Sequence, residues 1–157
     1  MNLITFDNII QDPLSYVSDI HLHGFQYVAD GDNVFKNIQP RDANDEFALY
    51  VRSIFPDYKV AYNFVRKSPL NQKEPNFIHT DEMMGDITCI LYLNDEAPDN
   101  DGTTVYDADK KPILTMYSKF NRMITFDSDA PHSRNLFENF GEGEAARLVQ
   151  VIFLKAK

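Results

Sequence analysis

Cysteine occurs once in the chain, at Cys89, so neither an internal disulfide nor a cysteine-rich zinc site can form. A lone thiol suits a reducing compartment, and a cytoplasmic address is the expectation. Tryptophan is absent altogether. No apolar run approaches the roughly 18 residues that a membrane-crossing helix needs, so no membrane partner is expected. The opening residues, MNLITFDNIIQDP, carry no basic cluster and no long apolar stretch, and no secretory signal is expected. Basic residues are in the minority, 15 against 24 acidic ones, and the formal charge of −9 repels a phosphate backbone. Nucleic acid is therefore not an expected partner, and a cationic or neutral substrate is favoured over a polyanion. The chain also has no Walker loop, no dinucleotide fingerprint and no Ser/His/Asp order.

What is present is apolar and aromatic. Of the 157 residues 43% are hydrophobic, with 12 Phe and 8 Tyr, enough to bury one core and to define a single domain spanning 1–157. Residues 1–57 read as a helix-rich support. Asp12-Pro13 can cap and open a helix that runs to about His23 and ends at Gly24. A second helix is predicted over 44–55, where Phe47, Tyr50, Val51 and Ile54 recur at i, i+3, i+4 and i+7. Between the two, 29–41 is polar and predicts loop with short extended pieces.

From residue 58 the pattern turns strand-like. The segments 59–66, 87–93, 123–126 and 148–154 are rich in β-branched and aromatic residues and are separated by Pro, Gly, Asp and Asn. The fold class is mainly β with N-terminal helices, and the strand spacing suggests a sandwich, barrel or jelly roll over 58–157.

One constellation carries chemistry. In His79-Thr80-Asp81 the two outer side chains share a face if the segment is extended. His132 follows 53 positions later, after a strand and the tight DSDAP turn. Two histidines and one carboxylate are the ligand set that holds non-haem Fe(II) and leaves three positions open. The competing interpretation is a non-catalytic β-sandwich interaction domain in which His79 and His132 never meet.

Around this set the motifs occur in a distinctive order. Asp81 is followed by Gly85-Asp86, the strand ITCILYLND, the turn Asp101-Gly102-Thr103-Thr104, the strand RMITFDSDAPH and then Arg147 opening LVQVIFL. The order resembles the Fe(II)- and 2-oxoglutarate-dependent dioxygenase superfamily, in its prolyl-hydroxylase-like branch. The resemblance covers 58–157 well and the N-terminal helices only in outline. It implies a double-stranded β-helix core (jelly-roll, cupin-like) and a hydroxylase activity. It also implies Fe(II), 2-oxoglutarate and O2, with ascorbate as an auxiliary reductant. The reaction would hydroxylate an unactivated C–H bond of a peptidyl or small-molecule substrate and release succinate and CO2. His79, Asp81 and His132 match the iron ligands. Arg147 matches the basic residue that clamps the far carboxylate of 2-oxoglutarate, and Tyr92 a tyrosine that hydrogen-bonds it.

Two departures from that pattern stand out. Arg147 lies 15 residues after His132, with NLFENFGEGEA reading as a loop insertion, and Arg134 is its competitor. DGTT replaces the common G-G-T, which adds the charge of Asp101 at the site rim. On the strand before His79, Tyr62 and Arg66 face one way and Asn63 and Lys67 the other, so either pair can meet the cosubstrate. The segment 68–77 before His79 reads equally as part of the substrate mouth or as surface loop. Met83 and Met84 are expected to pack at the rim, and Cys89 to be an inert core thiol. His21 and His23, on a helix, diverge and are not expected to ligate.

Overall fold

The computed structural model describes residues 3–31, 33–73, 77–136 and 138–157. In chain order the elements are β1 (Ile4–Phe6), α1 (Pro13–His23), β2 (Gln26–Asp30), β3 (Asn33–Pro40), α2 (Glu46–Ile54), β4 (Tyr58–Ser68), β5 (Ile87–Tyr92), β6 (Gly102–Tyr106), β7 (Pro112–Tyr117), β8 (Arg122–Asp127), β9 (His132–Arg134) and β10 (Arg147–Ala156). Both helices start as their sequences dictate. The Asp12 carboxylate accepts from Ser15 N ahead of Pro13, and Asp45 accepts from Ala48 N at 2.9 Å.

The strands form two antiparallel sheets. The larger runs β1-β8-β5-β10-β4-β3-β2 and the smaller β7-β6-β9. Strand β10 lies at the centre of the larger sheet, pairing Val149 with both Tyr92 and Arg66, and Gln150 with both Leu91 and Val65. Because alternate residues face opposite ways, these registers sort the side chains into two layers. Val65, Cys89, Leu91, Leu148, Ile152 and Leu154 face the helices and pack with Ile20, Phe47, Ala48 and Val51. Tyr92, Val149, Ile124 and Phe126 face the smaller sheet and pack with Val105 and Met116. The double-stranded β-helix architecture is thus built with helices outside it, and no helix among the described residues is long and apolar enough to cross a membrane.

The helix layer contains one buried polar knot. Gln150, fully buried, donates to Asp45 Oδ2 at 2.8 Å and to Asn63 Oδ1 at 2.7 Å, and accepts from the Tyr16 hydroxyl. Arg41 Nε closes the knot on Asp45 at 3.1 Å. Burial, then the Asp45 charge, pushes the Tyr16 phenol well up, so it stays a donor. A buried polar group must find partners, and this knot ties α1, α2, β4 and β10 into one arrangement.

The first 57 residues are less helical than their sequence suggests. The 29–41 segment is more regular than loop with short extended pieces: with residues from 26 it forms the β2–β3 hairpin and extends the larger sheet through β3 on β4. β1 adds the opposite edge on β8. These strands carry little sequence signal because they are short or bury little: β1 has three residues, and Tyr27, Val34 and Phe35 are exposed, so the period-2 apolar signal is lost. β9, only three residues long, and β7, largely exposed, give a weak signal for related reasons, whereas β6 is buried but its Gly-Thr-Thr start reads as a turn.

Replacing the central amide tests the knot. Gln150→Leu keeps the volume but strips partners from Tyr16, Asp45 and Asn63, and each buried orphan costs about 1–3 kcal/mol. Equilibrium chemical unfolding is expected to show a loss of about 2–4 kcal/mol. An unchanged midpoint would mean that the knot contributes nothing to holding the helices on the sheet.

Candidate metal and cosubstrate site

His79 and His132 meet across the sandwich. A backbone bridge joins them, His79 N to His132 O at 3.0 Å and His132 N to His79 O at 2.9 Å. Their ring centroids stand 4.4 Å apart, so the premise of the interaction-domain interpretation, that the two never meet, does not hold. His79 is held by this single bridge, not by a named strand. Asp81, two residues on, is fixed by its N–H on Ser128 O at 2.8 Å, and its own carbonyl accepts from Met84 N. The DSDAP turn therefore sets Asp81 and delivers His132 in one step, with Ala130 N closing on Asp127 O.

The donor atoms converge. The Asp81 carboxylate lies 2.9 Å from His132 Nε2 and 3.6 Å from His79 Nε2, and one ligand atom from each of the three lies within 4.8 Å of the others. Each Nδ1 faces a backbone carbonyl at 3.0 Å, Phe77 O for His79 and Ala130 O for His132. A carbonyl can only accept, so it selects the tautomer with the proton on Nδ1 and a lone pair on Nε2. Both Nε2 atoms then face the carboxylate, an arrangement that a shared proton or a bound cation makes favourable. This donor set suits a borderline divalent ion in a facial 2-His-1-carboxylate site. His132 is buried beneath the Phe126 ring at 4.6 Å, whereas the His79 side chain is 38% exposed beside Phe77, so the site opens on the His79 side.

Arg147 and Tyr92 occupy the same inter-sheet face. Arg147, 6% exposed, opens β10 two residues before Val149, and its Cζ lies 5.9 Å from the Tyr92 ring centre. The Tyr92 hydroxyl bonds Thr103 Oγ1 at 2.8 Å, and burial pushes the phenol up to about 12, against the pull of the Arg147 charge. The phenol therefore keeps its proton at neutral pH. The register also settles the face of 62–67. Arg66 and Tyr62 pair with Val149 and Phe153 and face the smaller sheet. Asn63 joins the helix-side knot, and Lys67 lies over the Phe25 ring. Arg134 pairs with Thr103 and shares the inner face with His132.

Two expectations need correction. Asp101 adds no charge at the rim: it is 1% exposed and both of its oxygens meet Arg147 Nε, at 3.2 and 3.3 Å. The sequence showed the departure from G-G-T but not its consequence, because the partner lies 46 residues away. Gly102 retains the part of the turn that needs glycine, since a Cβ there would meet Met116 O at 2.2 Å. Met83 is not packed at the rim but 93% exposed on the turn after Asp81. The long spacing before Arg147 has a structural reason: Asn139 donates to Pro69 O and Gln72 O, so the insertion docks on the turn after β4. Of the loop before His79, residues 74–76 lie outside the described residues. Cys89 is buried and its thiol pushed up by that burial, as an inert core residue should be. His21 and His23 lie in α1.

No protein-family model matches the chain, and no curated protein sequence does. Solved structures share the fold. A prolyl hydroxylase from Trichoplax adhaerens, solved with a hypoxia inducible factor peptide fragment, superposes with a TM-score of 0.68 at 16% identity, covering 99% of this chain and 84% of the other. An oxidoreductase of the 2OG-Fe(II) oxygenase family from Burkholderia pseudomallei gives 0.64 at 10% identity, covering 98% and 85%. A Pseudomonas putida prolyl-4-hydroxylase gives 0.62 at 13% identity, covering 99% and 93%. At these identities the likeness is one of fold.

Cobalt(II), a spectroscopic probe for such a site, is expected to bind the chain one to one with visible d–d absorption. His79→Ala and Asp81→Ala should each lose that signal while keeping the wild-type circular dichroism and melting curve, since neither side chain is in the core. Full cobalt affinity in His79→Ala would remove the triad as a metal site.

Proposed function

We propose that the chain is an Fe(II)- and 2-oxoglutarate-dependent oxygenase that hydroxylates an unactivated C–H bond of a peptidyl or small-molecule substrate. The observation that carries this reading is the convergence of His79, Asp81 and His132, with each Nδ1 on a backbone carbonyl and with His132 on the same inter-sheet face as Arg147. Arrangement and fold support it together: the architecture is the one those oxygenases use. The metal, when bound, supplies dioxygen activation, and 2-oxoglutarate, O2 and substrate C–H are converted to succinate, CO2 and C–OH.

The chain's own residues have these roles in the proposal. His79, Asp81 and His132 hold the ion. Arg147 binds the far carboxylate of 2-oxoglutarate, whose other end chelates the metal. Position 101 on the Arg147 side lies four residues along the β6 line from Val105, the partner of His132. At a strand rise of ~3.3 Å this is about 13 Å, a span that a five-carbon dicarboxylate and an arginine side chain cover together. Tyr92 donates its phenolic proton to the same carboxylate while Thr103 donates to the Tyr92 oxygen. The inner-face apolar residues Val105 and Phe126 beside His132, and Val149 near Arg147, exclude water from the space between the two ends. Substrate approaches over His79, the exposed ligand, with Phe77 beside it.

We take 1–157 as one domain, since β1 closes on β8 and β3 on β4. A cytoplasmic address is consistent with the single buried thiol.

The test is Fe(II)-dependent conversion of 2-oxoglutarate to succinate, with candidate peptides and metabolites added in turn. Arg147→Ala should raise the 2-oxoglutarate requirement at least about a hundredfold, because losing one side of a buried charge pair costs about 3–5 kcal/mol. Tyr92→Phe should raise it about ten- to a hundredfold, the loss of one bond to a charged group. Iron affinity should hold in both. Sensitivity at Arg134 with tolerance at Arg147 would reassign the clamp, and no turnover or cosubstrate binding with iron loaded would end the reading.

A further inference from the structure

The proposed clamp already has a carboxylate on it. Asp101 and Arg147 are 1% and 6% exposed, and the Arg147 Nε hydrogen is shared between both Asp101 oxygens. Asp101 has little freedom to leave. Its N–H donates to Pro98 O at 3.0 Å, its carbonyl accepts from Ser118 N at 2.8 Å, and Gly102 after it is pinned against β7. Among the described residues the hydrogen bonds of the Arg147 side chain use Nε alone, which leaves the two terminal nitrogens for a ligand. The Tyr92 ring lies 5.9 Å from Cζ and its hydroxyl reaches Thr103 on β6.

We propose that Asp101 is a resident counter-carboxylate that weakens and thereby sets the affinity of the site for a 2-oxo dicarboxylate, acting through Arg147. The inference rests on the oxygenase reading and concerns a residue which that reading leaves out. Physically, one guanidinium carries one positive charge, and Asp101 neutralises it before any ligand arrives. A second carboxylate on the terminal edge is held by hydrogen bonds but repelled by Asp101 a few ångströms away, in surroundings with little water to screen the two. The arrangement also stabilises the empty protein, because Arg147 is never buried without a partner. Asp101 thus acts through Arg147 and not on the ligand itself: it fixes how much of the guanidinium charge remains for the ligand. A 2-oxo acid with no far carboxylate makes no use of Arg147 and is indifferent to Asp101.

The experiment compares wild type with Asp101→Asn, close in shape but uncharged, and with Asp101→Gly, which removes the side chain where the backbone is already turning. Metal-loaded proteins are titrated anaerobically with 2-oxoglutarate and, separately, with pyruvate, so binding is read without turnover. Both variants are expected to bind 2-oxoglutarate at least about tenfold more tightly, with pyruvate affinity and metal affinity unchanged. Without ligand both should melt below wild type, and 2-oxoglutarate should raise their melting temperatures by more than it raises that of wild type. Unchanged or weaker 2-oxoglutarate binding in the variants would overturn the proposal, as would an equal tightening toward pyruvate. If metal-loaded wild type binds neither acid, the oxygenase reading itself fails; if it binds both and only the variants' response is absent, that reading stands and this one falls.

Discussion

The alternation of side chains along β10 is the constraint from which both halves of the structure follow. Leu148, Gln150, Ile152 and Leu154 point to the helices, and Arg147, Val149, Val151 and Phe153 to the smaller sheet. The strand is paired on both sides, so a one-residue slip would exchange the two sets. It would bury Arg147 among the helix contacts and turn Gln150 into the inter-sheet space. The polar knot at Gln150 is therefore more than local support. It fixes the register that aims Arg147 at Tyr92 and Asp101.

The His79-Asp81-His132 cluster depends on a second, smaller constraint. His79 and Asp81 belong to no regular strand, and each is placed by backbone bonds to the segment leading to and including His132. The two halves of the triad, 53 residues apart in sequence, are thus built as one unit. Chemistry that needs an open coordination side then follows from unequal burial, His132 beneath Phe126 and His79 toward solvent. Rigid placement with one exposed ligand is what a site that must admit substrate requires.

Much of this was legible in the sequence where periodicity or spacing is strong. The helices at 13–23 and 46–54 follow from Asp-Pro capping and the Phe47-Val51-Ile54 face, β5, β8 and β10 from apolar runs buried on both sides, and β4 from its β-branched and aromatic residues although much of it is half-exposed. His79-x-Asp81 with a distant His132 was enough to propose a cluster that the fold does assemble. Strands β1, β2 and β3 were not legible, because β1 is only three residues long and the β2–β3 hairpin leaves Tyr27, Val34 and Phe35 in solvent, so no apolar alternation marks it. Nor was the role of Asp101. A carboxylate at a turn reads as solvated by default, and only the fold could bring it to Arg147. The face of Tyr62 and Arg66 was likewise undetermined until pairing with β10 supplied the register.

The central claim is that one site holds both a metal on His79, Asp81 and His132 and a 2-oxo acid stretched from that metal to Arg147. Anaerobic addition of 2-oxoglutarate to the Fe(II)-loaded chain, followed by visible absorption, tests both halves at once. Chelation of iron by a 2-oxo acid produces a metal-to-ligand charge-transfer band that neither partner shows alone. The account predicts that band at one equivalent of iron, saturating with 2-oxoglutarate. Iron bound tightly with no band at any 2-oxoglutarate concentration would contradict it.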